Sequence, residues 1–226
     1  MEIHRPKPFH GWRELLKEVG IIVLGVLIAL AAEQTVEALH WRRQVGETRD
    51  VLRQELRGNL GVVATRGAEF GCVGRRLDEV RTILAEHAKG RSVVLVAPLG
   101  RPLDEAIDAT NYAAAEHGAV LVHMPLEERN SDAYWFAGFQ YVADLQLRER
   151  ETWGELALLD DPQVLSAADW SIIVGAYARA RNINERLGTG IAGMLADARA
   201  QGLVVPPPDA RPKALASVCA PVLAGR

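Results

Sequence analysis

One apolar stretch close behind the start of the chain limits the folds that are open to it. Residues 19–32 form a run of fourteen positions without a charged side chain. As a helix this run rises only about 21 Å, whereas the hydrocarbon core of a bilayer is about 30 Å thick. The stretch is therefore the centre of a membrane span that its flanking residues lengthen, a cleavable signal peptide, or a buried core helix. Ala29, Leu30 and Ala31 match the small-x-small pattern of a cleavage site.

The flanks of this stretch favour the membrane span. Acidic residues precede it together with basic ones, unlike the positive start of a signal peptide, and the helical pattern continues past the supposed cleavage site. Lys17 can extend its amine along its own stem towards water. Trp12 and Trp41 lie 29 residues apart, about 43 Å of helix, which is close to the roughly 40–45 Å of a bilayer with its headgroups. We predict one transmembrane helix, with Trp12, Lys17, Glu33 and Trp41 at the membrane interfaces.

The remainder of the chain has the pattern of packed helices. Trp41, Val45, Thr48 and Leu52 recur at spacings of 4, 3 and 4, a coiled-coil-like stripe on one helical face. A second stripe runs over 70–87, and five glycines between the stripes leave open whether the helix is continuous. We predict an all-α fold in which one N-terminal transmembrane helix continues into a helical stalk and a bundle of about four helices.

Local signals give the boundaries of these parts. The bundle is expected to contain a helix that starts at Asp104, a loop of eight residues from Pro125 ending in a cap at Ser131 or Asp132, and a last long helix capped by Ser166. The chain divides into an N-terminal arm (1–10), a transmembrane helix with its flanks (11–41), a stalk and bundle (42–202), and a proline-rich C-terminal tail (203–226).

The start of the apolar helix also carries a family resemblance. Glu18 is followed, after six residues, by Gly-Val-Leu-Ile-Ala-Leu from Gly25 to Leu30. This pattern resembles the opening of an uncharacterised family of bacterial single-span membrane proteins, E-x6-G-[IV]-L-I-A-L, and the likeness extends over about the first 60 residues. Where that family has polar asparagines after the span, this chain has Glu33 and Gln34. The resemblance implies a membrane anchor and implies no reaction.

The two cysteines allow two interpretations. Cys72 and Cys219 fit no zinc or redox spacing. They are either two unrelated small apolar side chains, or a disulfide that ties the C-terminal tail to the helical body and requires an oxidising compartment.

Three further features concern helix contact. Gly25, Ala29 and Ala32 form a small-xxx-small face that permits close approach of a second span, and the stripe beyond the span favours such contact. Asn184 lies on an apolar stripe, where it either fixes the register of packed helices or meets water at a frayed position. The stripe continues through Gly-Thr-Gly-Ile-Ala-Gly at 188–193, so this G-x-G-x-x-G match belongs to a helix and predicts no nucleotide site.

The expected function is interaction without catalysis. The net charge of −3 argues against nucleic acid as a partner, and no catalytic, metal or cofactor motif is present. We expect a bacterial inner-membrane protein that binds the lipid bilayer and self-associates or docks onto another membrane protein. Basic residues number four before the span and three after it, which favours a cytoplasmic N-terminus and a periplasmic soluble domain. The alternative is a small-molecule sensor with a pocket lined by Tyr134, Trp135 and Phe139.

Overall fold

Helices account for nearly all of the regular structure. The computed structural model describes residues 11–209 and 217–223, so the predicted arm 1–10 lies outside the described residues. Within the described residues the helices are α1 (Trp12–Ala68), α2 (Phe70–His87), α3 (Thr110–His117), α4 (Leu126–Leu156) and α5 (Ala167–Ala200). Short 3-10 turns occupy Val120–His123, Ala157–Asp160 and Pro162–Val164. The predicted all-α fold, with a long apolar N-terminal helix that continues into a bundle, is confirmed.

The first two helices form one long rod with a single irregular residue. No proline occurs from residue 9 to residue 97, so every backbone N–H in this region is available for a helical hydrogen bond. α1 has 57 residues and ends at Ala68. Glu69 interrupts the pattern, yet its N–H bonds to the carbonyl of Arg66 at 3.2 Å and its carbonyl accepts from the N–H of Val73 at 3.0 Å. The glycines between the two stripes therefore lie within helices, not in a loop.

The N-terminal half of α1 contacts no other part of the described chain closely enough to be covered. Every residue from 16 to 40 is exposed, and the most apolar window has a mean hydropathy of 2.3 with 0% of it buried. This is the one helix in the described chain that is long and apolar enough to cross a membrane. A core helix of a soluble protein would bury its apolar residues, so that alternative does not fit.

The chain returns along the rod after α2. Successive contacts descend α1 in order: Glu69 with Leu103, Asn59 with Asp108, Glu55 with Tyr112, and Trp41 with His123. α4 then ascends, since Arg49 of α1 pairs with Glu128 near its start and Arg66 with Glu149 near its end. α5 packs along α4 and descends again. The C-terminal tail lies alongside the rod in the ascending direction. The N–H of Asp209 bonds to Thr65, and the N–H of Val222 bonds to Glu79 farther along.

Two main clusters of buried side chains fill the bundle. The cluster nearer the uncovered half of α1 lies between α1, α4 and α5 and is rich in aromatic rings, with Trp135, Phe136 and Phe139 as its largest members. The farther cluster lies between α2, α4 and α5 and includes Trp153 together with Val218 from the tail. Both clusters draw on residues more than 100 positions apart, so the tail and the N-terminal rod are parts of the same bundle.

Two predicted boundaries are wrong. Residues 101–109 carry no helix, and α3 begins only at Thr110. The reason is that Asn59 hydrogen-bonds both the carbonyl and the N–H of Asp108, at 2.6 and 2.9 Å, so neither group is left for a helical hydrogen bond. The loop predicted after Pro125 is helical instead. Pro125 occupies the N-cap position of α4, and acidic side chains follow in its first turn, where the helix dipole favours them.

The C-terminal tail is partly extended and partly packed. Residues 203–209 have no helix, as proline content predicts. In the segment 217–223, however, Val218 and Val222 are 2% and 1% exposed. Leu223 forms an isolated antiparallel bridge with Leu95 of the linker after α2. The segment is therefore a structural part of the bundle and not a loose end.

Candidate membrane anchor and interaction surfaces

The predicted interface residues lie on the uncovered part of α1, except for one. Trp12, Lys17 and Glu33 are exposed. Trp41 is half-buried because its ring stacks on His123, with centroids 3.8 Å apart, and its Nε1 donates to Glu37 at 3.3 Å. Trp41 thus marks the level at which the uncovered helix ends and the folded bundle begins.

The small-residue face of the uncovered helix is open to a second helix. Gly25, Ala29 and Ala32 are exposed, and a Cβ added at Gly25 would meet nothing within 4 Å. At about 100° per residue this face points about half a turn away from Trp41 and Val45, which face the bundle. The chain's own bundle therefore does not obstruct the approach of another span.

The apolar stripe that follows the uncovered helix, from Trp41 to Leu52, is not available to a second chain. The sequence predicts that this stripe favours contact with another span. Val45 and Leu52, two of its members, are only 5% and 3% exposed because the chain's own bundle covers them. The stripe serves intramolecular packing, so the case for association rests on the small residues within the span.

Cys72 and Cys219 are joined by a disulfide. Their Sγ atoms are 1.95 Å apart and their Cα atoms 4.7 Å apart, across 147 positions of sequence. The bond ties the segment 217–223 to α2. A disulfide of this kind persists in an oxidising compartment and is rare in cytosolic proteins.

Two charged side chains on the same face of α2 reinforce this attachment. The guanidinium of Arg76 donates to the carbonyls of Leu99 and Ala220 and forms an ion pair with Glu79 at 2.9 Å. Glu79 in turn accepts from the N–H of Val222 at 2.9 Å. Burial lowers the pKa of Arg76, while Glu79 raises it. Together with the disulfide, Arg76 and Glu79 form what we term the C-terminal clamp.

A polar centre connects three helices in the middle of the bundle. Arg66 of α1 donates to both carboxylate oxygens of Glu149 on α4, at 3.1 and 2.6 Å, and to Oδ1 of Asn184 on α5 at 3.4 Å. The three residues are between 2% and 5% exposed. Burial raises the pKa of Glu149, and the adjacent Arg66 opposes that shift. Asn184 is therefore a buried hydrogen-bonding group and does not meet water at a frayed position.

Glu69 adds a second buried carboxylate one turn beyond Arg66. Its side chain is 0% exposed, and Oε2 accepts from the N–H of Leu103 at 3.0 Å. Oε1 has no hydrogen-bond partner among the described residues. Burial raises the pKa of Glu69, partly offset by the bond from Leu103. The residue fixes the linker against the irregular point between α1 and α2.

The aromatic face of α4 forms core and not a closed pocket. Phe139 is fully buried, and Phe136 stacks on Tyr112 with centroids 4.3 Å apart. Tyr134 and Trp135 border an open groove of about 420 Å³ between α4 and α5. The three side chains predicted to line a sensor pocket are thus divided between the core and this surface groove.

The G-x-G-x-x-G match lies inside α5, as the continuous stripe predicts. Its first glycine has a packing role, because a Cβ added at Gly188 would overlap the ring of Phe70. At Gly193 an added Cβ would meet nothing within 4 Å. Across residues 11–209 and 217–223, no group of three or more His, Cys, Asp or Glu side chains is arranged to hold a metal ion.

Two buried charges are not among the residues predicted from the sequence. Arg66 and Arg76 are both 2% exposed or less. A signal was present, since Val63, Arg66, Val73, Arg76 and Val80 recur at helical spacing. A charge in phase with an apolar stripe indicates a residue that must find a partner inside the bundle.

Comparisons with models of protein families, with curated proteins and with solved structures find no match to this chain. The family resemblance of the first 60 residues stays a prediction. The candidate surfaces are therefore interpreted from their own geometry.

Proposed function

We propose that the chain is a single-pass protein of the bacterial inner membrane whose helical rod projects into the periplasm and acts in protein–protein association, without catalysis or a cofactor. The observation that carries this proposal is the uncovered apolar helix, which runs without a break into a folded bundle. An exposed all-apolar surface of this length is stable in lipid and unfavourable in water. The proposal agrees with membership of the single-span family that the opening residues resemble.

The disulfide supports the proposed orientation. Cys72 and Cys219 lie in the bundle, beyond the span, and a disulfide there calls for an oxidising compartment. The slight excess of basic residues before the span points in the same direction. An inner-membrane span with a cytoplasmic N-terminus and a periplasmic bundle satisfies both features.

We further propose that the partner binds within the membrane, through the face formed by Gly25, Ala29 and Ala32. Small residues let two helix backbones approach closely, which is the main source of contact energy between spans. The partner is a second copy of the chain or the span of another envelope protein. Small-molecule sensing has less support, because Trp135 and Phe139 are needed in the core.

Crosslinking in native membranes tests the association. We expect a crosslinked dimer, or a crosslinked complex with one defined partner, that is lost in Gly25→Leu. The matched control is Gly20→Leu, since Gly20 is equally exposed but points to a different side of the helix, about 140° away. A span that stays monomeric, or equal losses in both variants, would contradict the association while leaving the membrane anchor intact.

A further inference from the structure

The turn between α3 and α4 is the part of the bundle closest to the span. The chain of α3 and the 3-10 turn after it runs along α1 towards lower residue numbers, since Tyr112 bonds to Glu55 and His123 stacks on Trp41. α4 then leaves towards higher residue numbers, starting with Arg49 at Glu128. Residues 117–126 form the apex between these two directions, and we term them the membrane-proximal turn.

The surface of this turn is unusually apolar for an exposed loop. From residue 117 to residue 126 there is no Asp, Glu, Lys or Arg. Val122 and Leu126 are 69% and 62% exposed. Other apolar side chains of the bundle are as exposed, such as Val94 at 79%. Val122 and Leu126 differ from them in their place, an uncharged turn next to the uncovered half of α1.

The turn is held firmly to α1. Val120 and Met124 are each 5% exposed and pack on Val45. Directly behind them, Arg49 donates to both carboxylate oxygens of Glu128, at 2.6 and 3.0 Å. The exposed side chains are therefore presented from a fixed base, and His123 of the same turn stacks on Trp41.

We infer that the membrane-proximal turn inserts Val122 and Leu126 into the outer headgroup region of the same bilayer that the N-terminal helix spans. This inference rests on the proposed anchor. With Trp12 and Trp41 at the two headgroup levels, the stacked His123 lies at the outer one, and its apolar neighbours reach lipid there. Apolar side chains gain free energy when they enter the boundary between headgroups and acyl chains. The turn is then a second membrane contact, which fixes how the rod stands on the bilayer.

Site-specific fluorescence in vesicles tests the inference. The full chain, reconstituted in phosphatidylcholine–phosphatidylglycerol vesicles, carries one environment-sensitive label at Val122→Cys. The native cysteines are joined in the disulfide and do not compete for the label. The matched control is Val164→Cys, which is 74% exposed in a turn at the opposite end of the rod. Ile21→Cys, within the apolar run 19–32, reports insertion itself. A nitroxide-labelled lipid serves as the quencher.

We expect the label at position 122 to shift to shorter wavelength and to lose emission with the quencher, while the label at 164 does neither. Quenching at 21 with a water-like signal at 122 would overturn the inference and leave the anchor standing. Quenching at both 122 and 164 would indicate that the whole bundle adsorbs, which would also overturn it. A water-like signal at all three positions would refute the anchor as well.

Discussion

Arg66 of α1 and Glu149 of α4 form a two-point ion pair in the interior of the bundle, with N···O distances of 3.1 and 2.6 Å. The two side chains are 2% and 3% exposed. A buried pair of this kind contributes little net stability when both partners are present, because desolvation offsets their attraction. Removing one partner leaves an uncompensated charge inside the protein.

We therefore expect Arg66→Met and Glu149→Leu each to lower the free energy of unfolding by about 3–5 kcal/mol, and the double variant to lose far less than their sum. Denaturant unfolding of the full chain in detergent, followed by circular dichroism, measures all three. The control is the exposed pair Arg43 and Glu47, where substitution is expected to leave the free energy of unfolding nearly unchanged, because water screens an exposed pair. Strictly additive losses at Arg66 and Glu149 would show that the pair is not coupled.

The buried carboxyl of Glu69 gives a dependence on pH. Its pKa is raised above the ordinary value of 4.5, so the native state holds this proton more tightly than the unfolded chain does. Stability then falls as pH rises from 4.5 through the native pKa and is level above it. We expect Glu69→Gln to remove this part of the loss, as measured by unfolding between pH 4 and pH 8, about the range in which a raised carboxyl titrates.

Glu149 titrates in the same direction, so Glu69→Gln flattens the pH profile only in part. Glu116→Gln, on the exposed surface of α3, is the matched control. Superimposable profiles for the wild type and Glu69→Gln would contradict the assignment of this proton to Glu69.

The disulfide closes a loop of 147 positions, and we expect its removal in Cys72→Ala/Cys219→Ala to cost about 2–4 kcal/mol. Hydrogen exchange should accelerate most in the segment 217–223, which then keeps only non-covalent contacts with the bundle, those of Arg76 and Glu79 among them. The wild type treated with a reductant serves as the control and should match the double variant. An unfolding midpoint that reductant leaves unchanged would contradict the C-terminal clamp.

Two glycines of the G-x-G-x-x-G match differ in what surrounds them, and this difference tests whether Gly188 has a packing role. Gly188→Ala places a methyl group against Phe70, whereas Gly193→Ala places one in open space. Replacement of glycine by alanine in a helix adds about 0.5–1 kcal/mol of stability when nothing obstructs the methyl group. We expect Gly193→Ala to gain stability and Gly188→Ala to be less stable than it. Equal effects would remove the packing role of Gly188.

Short-range sequence signals predict the parts of this fold that depend only on residues close together in the sequence. The absence of proline from 9 to 97 predicts the rod, and Ser166 with Asp169 forms the capping box that its spacing indicates. The helix predicted from Asp104 does not form because of a tertiary contact. Asn59, which lies in α1, hydrogen-bonds the backbone of Asp108. Nothing within a local window encodes that contact.

The candidate surfaces were predictable to different degrees. The long apolar N-terminal helix follows from hydropathy together with the proline-free flanks of the apolar run. The pairing of Arg66 with Glu149 requires knowing that α4 ascends along α1, which spacing within either helix does not give. For the same reason, the sequence does not predict the membrane-proximal turn. Only the fold places His123 against Trp41, and with it Val122 close to the proposed membrane surface.

The central claim is that a membrane span holds a disulfide-bonded bundle in an oxidising compartment. Labelling with maleimide–polyethylene glycol tests it most directly. Acid first traps the thiols in their native redox state, carbonate then washes peripheral proteins from the membranes, and the reagent labels the free thiols that remain. We expect the full chain to remain in the membrane fraction, with no added mass without reductant and the mass of two labels after reduction, one each at Cys72 and Cys219. Release of the chain by carbonate, or labelling of both thiols before reduction, would contradict the claim.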